Sequence, residues 1–125
     1  MAAPTRDYWM ATKEDLYDVA VDLFGEGRVD EAIAVYTEAL SLDPQYVDAL
    51  HGLAMAYLSK ENYEDAIAVG KRICELTPYD VLAHASLSTF FQQHGKMAEA
   101  EAQSATARRL LDSERKRSEE GEHST

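Results

Sequence analysis

A shift of 34 residues maps this chain onto itself. Asp43-Pro44 and Thr77-Pro78 lie that far apart, and the same shift carries Leu16 onto Leu50, Val19 onto Leu53 and Ala20 onto Ala54. The run Asp30-Glu31-Ala32-Ile33-Ala34-Val35 falls on Glu64-Asp65-Ala66-Ile67-Ala68-Val69. A second shift reaches Leu87, Ser88, Phe91, Glu99, Ala100 and Ala107, which makes three copies. Self-similarity at such a period predicts a stack of like supersecondary units, each burying its apolar face against the next.

Within each copy the apolar spacing is helical. Leu16, Val19, Ala20 and Leu23 follow i, i+3, i+4, i+7, as do Leu50, Leu53, Ala54 and Tyr57. Ala32, Ile33, Tyr36, Ala39 and Leu40 form a second amphipathic stretch, repeated by Ala66, Ile67, Ile73 and Cys74. Thr12, with Asp15 three residues on, is a capping-box start. Gly25-Glu26-Gly27 and Gly95 break helices, Asn62 is a candidate cap, and Pro44 and Pro78 stop the helices before them. The pattern predicts an all-α chain with helices at 12–25, 29–42, 46–59, 63–76, 80–94 and an extended last helix at 97–117. Residues 1–11 form an N-terminal segment, and the polar residues 118–125 are expected to be a disordered tail.

On these residues the chain resembles the tetratricopeptide repeat (TPR) family. Small residues stand where that family packs helices closely: Ala20, Ala32, Ala39, Ala54, Ala66, Ala100 and Ala107. Leu16, Leu23, Tyr36, Leu50, Tyr57 and Phe91 match its large positions, and Pro44 and Pro78 its helix-ending proline. His84, Gly70, Ser104 and Asp112 depart from the pattern. The resemblance implies an α-solenoid of three helix-turn-helix pairs, at 13–46, 47–80 and 81–114, within an ordered region 12–117.

A second apolar line runs beside the core line of each first helix. It comprises Tyr17, Val21 and Phe24, then His51, Met55 and Leu58, then Leu82, Ala85, Thr89 and Gln92. In the TPR family such positions line a concave groove that holds partner segments. Contiguous apolar surface marks interaction sites, and a flexible methionine adapts to varied shapes. Tyr8-Trp9-Met10 is a candidate internal lid. Some TPR proteins grip the acidic EEVD-type tails of chaperones with Lys, Arg and Asn; here the matching places are Tyr17, Val21, Gly52, Leu82 and Ser86. None is basic or Asn, so a chaperone tail is not the expected ligand.

Charge narrows the function further. The chain of 125 residues holds 12 basic and 23 acidic side chains, a net −11, and residues 1–107 carry all of it with 7 against 18. Nucleic-acid binding is not expected, because phosphate contact depends on Lys and Arg. Arg108-Arg109 and Arg115-Lys116-Arg117 are offset by five nearby carboxylates. Asp15, Asp18 and Asp22 read as a solvated face able to steer a basic partner. No apolar run is long enough to span a bilayer, and the start at Met1 lacks a secretory pattern, so no membrane role and a cytoplasmic location are expected.

Catalysis, metals and cofactors are not expected. His51, His84, His94 and His123 lack paired metal spacing, and Cys74 reads as a small core residue without an activating partner. His84 is expected to be a buried, hydrogen-bonded imidazole, and His51 a pH-sensitive member of the groove. The leading expectation is therefore a protein-interaction module, an adaptor that takes an apolar or amphipathic peptide or helix. The alternative is a self-assembling homo-oligomeric scaffold.

Overall fold

The computed structural model describes residues 11–123, and among them six helices and no strand are found. They are α1 Lys13–Gly25, α2 Val29–Leu42, α3 Val47–Ser59, α4 Tyr63–Leu76, α5 Val81–Gln93 and α6 Met97–His123. The all-α, helical-repeat fold read from the sequence is the fold observed. Tyr8-Trp9-Met10 lies outside the described residues.

The period is written in the backbone as well as the side chains. Each first helix leaves through a residue in the left-handed region: Gly27 at φ +81, Glu61 at φ 58 and Gly95 at φ +77, successive positions 34 apart. In each turn the next N–H reaches back to a carbonyl in the last helical turn. Arg28 bonds Leu23 at 2.9 Å, Asn62 bonds Tyr57 at 2.9 Å, and Lys96 bonds Phe91 at 2.8 Å. These bonds satisfy carbonyls that a helix end leaves open. Glycine takes this conformation freely, whereas Glu61 adopts it with a Cβ in place.

Helix starts are less uniform. Thr12 and Asp15 complete a reciprocal capping box on α1, and the Asp80 side chain accepts from the Leu82 N–H at 3.0 Å on α5. Arg28 and Tyr46 precede α2 and α3 without a side-chain cap. Arg28 instead donates to Glu31 from both Nε and Nη2, tying the first turn of α2 to the turn before it.

The last helix corrects one expectation. Residues 118–123, expected to be disordered, continue α6 as helix. Asp112 stands where Pro44 and Pro78 stop the earlier copies, so nothing removes the backbone donor there. Glu119 and Glu120 also follow Arg115 and Lys116 at i, i+4, a spacing that lets charges meet along a helix.

The chain divides inside α4 into two compact units, Met1–Val69 and Gly70–Thr125. In the first, α1 packs on α2 and α2 on α3, around Leu16, Ala20, Ala32, Val35, Tyr36, Ala39, Ala49 and Leu53. Alanines at 20, 32, 39 and 49 are fully buried and permit close helix approach, while Tyr36 fills the space they leave. In the second unit α5 packs on α6, and Ile73, Leu87, Phe90, Phe91, Ala100 and Ala107 are buried. Ser88, where the other copies have alanine, is buried; its hydroxyl donates to the Ala100 carbonyl and lies 2.8 Å from the Ser104 hydroxyl. Val19, expected on the core line, is 43% exposed, because no described helix covers that side of α1.

Candidate partner-binding surface

In the first unit, α1 and α3 lie side by side. Tyr17, Val21 and Phe24 come from α1, and His51, Met55 and Leu58 from α3. Their exposure separates them into two sets. Val21 and Met55 are 42% and 48% exposed. Tyr17, Phe24, His51 and Leu58 are half-buried, and Tyr17 and Phe24 pack on the core.

Tyr17 is part of an aromatic cluster that sequence reading missed. Its ring centroid lies 6.1 Å from that of Tyr36 and 5.6 Å from that of Tyr46, in tilted arrangements favourable for aromatic pairs. Lys13 Nζ stands 5.0 Å above the Tyr46 ring and also pairs with Asp43, at the end of α2. The Lys13 ammonium holds the Asp43 carboxyl below its usual range, helped by the Gln45 N–H. Burial, and then the neighbouring Tyr17, pushes the Tyr36 hydroxyl up. Tyr17 is thus a fixed floor, with Val21 and Met55 as the accessible apolar groups beside it. The signal for the cluster was three tyrosines, one on each of α1 and α2 and one immediately before α3.

In the second unit the corresponding residues all lie on α5. Leu82 is 72% exposed, and Ala85, Thr89 and Gln92 are exposed with it. The Thr89 hydroxyl donates to the Ala85 carbonyl of its own helix at 3.2 Å. This face therefore offers one large apolar side chain and two polar ones.

The remaining singled-out residues form no reactive centre. His84 is half-buried rather than buried: Nε2 donates to the Pro78 carbonyl at 2.9 Å, and Nδ1 lies 2.8 Å from the Gln103 side-chain amide. Cys74 is half-buried, and burial, followed by Asp80, pushes its thiol up to about 11, which disfavours the thiolate at neutral pH. Among the described residues no group of three or more His, Cys, Asp or Glu side chains is placed to hold a metal ion. No described helix is long and apolar enough to cross a membrane.

Repeated helix pairs with an apolar face left over define a helical-repeat fold. The family model of the tetratricopeptide repeat matches residues 23–73. No curated protein matches the chain by sequence. Among solved structures, MamA superposes with a TM-score of 0.78 at 22% identity, over 84% of this chain and 61% of that one. The second TPR of Spaghetti (RPAP3), bound to HSP90 peptide SRMEEVD, gives 0.71 at 27% identity over 79% of this chain and 92% of that one. The Yersinia enterocolitica type III secretion translocator chaperone SycD gives 0.72 at 22% identity, over 79% and 74%. The chain spans 61% and 57% of the lengths of two MamA structures that it resembles. Residues 23–73 thus match the tetratricopeptide repeat, and the helical-repeat fold is the one these solved structures share.

Proposed function

We propose that this chain is an adaptor whose α1–α3 face receives an apolar or amphipathic segment of a partner protein. The observation that carries the reading is the exposure of Val21 and Met55, 42% and 48%, on neighbouring helices over a tyrosine floor that Tyr36 and Tyr46 hold in place. A preorganised floor lowers the ordering cost of binding, and an amphipathic helix supplies anchors at i, i+3, i+4 and i+7. In the second unit Leu82 on α5 is a separate exposed apolar side chain. Chaperones and peptide-binding domains among the structural neighbours, including SycD and the RPAP3 repeats, support a protein ligand.

The chemistry of the ligand follows from the side chains on offer. Tyr17, Val21, Gly52, Leu82 and Ser86 bring no positive charge to an acidic chaperone tail, and the Tyr36 ring occupies the space beside Gly52 where a longer side chain would have to stand. Binding, not catalysis, is the proposed activity.

The test is a selection of amphipathic helical peptides on the wild-type chain, followed by affinity measurement on Val21→Glu/Met55→Glu. Both positions are exposed, so circular dichroism should show an unchanged fold. A loss of about tenfold or more in affinity, roughly 1.4 kcal/mol, is expected; unchanged affinity would remove this face from the function.

A further inference from the structure

The opposite flank of α1 is a packing face without a packed neighbour among the described residues. Under the 34-residue shift Asp15, Asp18, Val19 and Asp22 correspond to Ala49, Gly52, Leu53 and Ala56 on α3, and to Ala83, Ser86, Leu87 and Phe90 on α5. Ala49, Leu53 and Ala56 are 0%, 6% and 0% exposed, and Ala83, Leu87 and Phe90 are 2%, 1% and 4% exposed. The preceding second helix supplies that cover. The Tyr36 ring of α2 lies on Gly52, and Gly70 of α4 lies against Leu87 and Phe90. On α1 the same flank holds three exposed aspartates around Val19.

A complementary element is present at the other end of the sequence. Beyond Ala107, α6 buries no residue through Gly121, and Leu111 is 55% exposed. The extension thus continues a nucleated helix without the tertiary packing from which most helical stability in proteins comes. Charge matches as well. Residues 108–117 carry five bases against two acids, net +3, before Glu119 and Glu120 bring the extension through Gly121 to +1, whereas Lys13–Gly25 carries one base against four acids, net −3. A polar outer face that only keeps a terminal repeat soluble explains the aspartates, but neither the opposite sign nor the uncovered Leu111.

We propose that the Asp18–Val19–Asp22 flank of α1 receives the α6 extension of a second copy of this chain, with Leu111 against Val19 and the Arg115 region facing the aspartates. The contact is head-to-tail, so each bound copy retains one free flank and one free extension, and association continues until a ring closes or a filament grows. It uses the side of α1 away from Val21 and stands independently of the partner-binding reading.

Light scattering after size-exclusion chromatography tests this on the full chain. The wild type should exceed the mass of one chain as concentration rises at low ionic strength, and return to one chain in about 1 M salt, where screening is strong. Asp18→Lys/Asp22→Lys disables one surface and Leu111→Gln/Arg115→Gln the other; all four positions are exposed. Each variant alone should remain a single chain. Mixed, they should form a complex of one chain of each, because each retains the surface the other lacks. A wild type that stays monomeric at every concentration overturns the proposal. So does a pair of variants that assemble separately like the wild type, or that stay apart when mixed while the wild type assembles.

Discussion

The ring of Tyr36 lies so close to the backbone of Gly52 that a Cβ at position 52 would overlap Cζ, Cε1 and the hydroxyl oxygen of the tyrosine. One helix contributes the bulk and the next contributes its absence. In the second unit the roles are exchanged: Gly70 stands where the first copy has Tyr36, and Phe90 stands where the second copy has Ala56. A Cβ on Gly70 would meet Leu87 at 3.0 Å and Phe90 at 3.1 Å. The departure of Gly70 from the repeat pattern is therefore coupled to Phe90.

Gly52→Ala should destabilise the fold by about 1–3 kcal/mol through overpacking, despite the better helix propensity of alanine. Urea denaturation measures it. Tyr36→Leu should offset part of the loss in the double variant, a coupling expected for residues in contact.

Gly70→Ala should be close to neutral by the same assay. Its new methyl group asks Leu87 and Phe90 to move by only tenths of an ångström. That strain is set against a propensity gain of about 1 kcal/mol for replacing a helical glycine. A loss as large as that of Gly52→Ala would contradict the exchanged packing.

Glu61→Gly should stabilise the chain by about 0.5–1 kcal/mol, because a side chain in the left-handed region costs about 1–2 kcal/mol and glycine loses part of that gain to backbone entropy. Gly27→Ala and Gly95→Ala, at the equivalent turns, should destabilise it. Thermal melts of the three variants decide the sign.

The Lys13–Asp43 pair gives a pH signature. Asp43 is depressed from its ordinary 3.8, so its contribution is present above that value and lost as pH falls through the lower folded value. Lys13 is raised above 10.5, so its contribution is present below that value and lost as pH rises through the higher one. Asp43→Asn should lower the melting temperature at neutral pH, and the difference from wild type should close in acid below the folded value of Asp43.

Helix number, turn positions and the repeat itself were legible in the sequence because 34-residue spacing, alanines and helix breakers act locally. Thr12, Gly27, Pro44 and Pro78 mark boundaries through their own backbone chemistry. Val19 was misread because its burial depends on a neighbouring helix, which periodicity along one helix cannot reveal. Glu61 was missed because the turn is imposed by the hydrogen bond from Asn62 to Tyr57, not by a glycine. The apolar face of α1 was legible as a stripe. Its division into a fixed Tyr17 and accessible Val21 was not, since it depends on Tyr36 and Tyr46 from other parts of the chain.

The proposed function rests on the α1–α3 face as the place where the partner is held. Titration of a selected amphipathic peptide into the chain, followed by the methyl resonances of Val21, Met55 and Leu58 against those of Val19 and Leu111, tests it most directly. The first three should shift together and saturate at one affinity, while Val19 and Leu111 should not respond. Saturable shifts confined to Val19, Leu111 or other surfaces, with Val21 and Met55 unmoved, would contradict it.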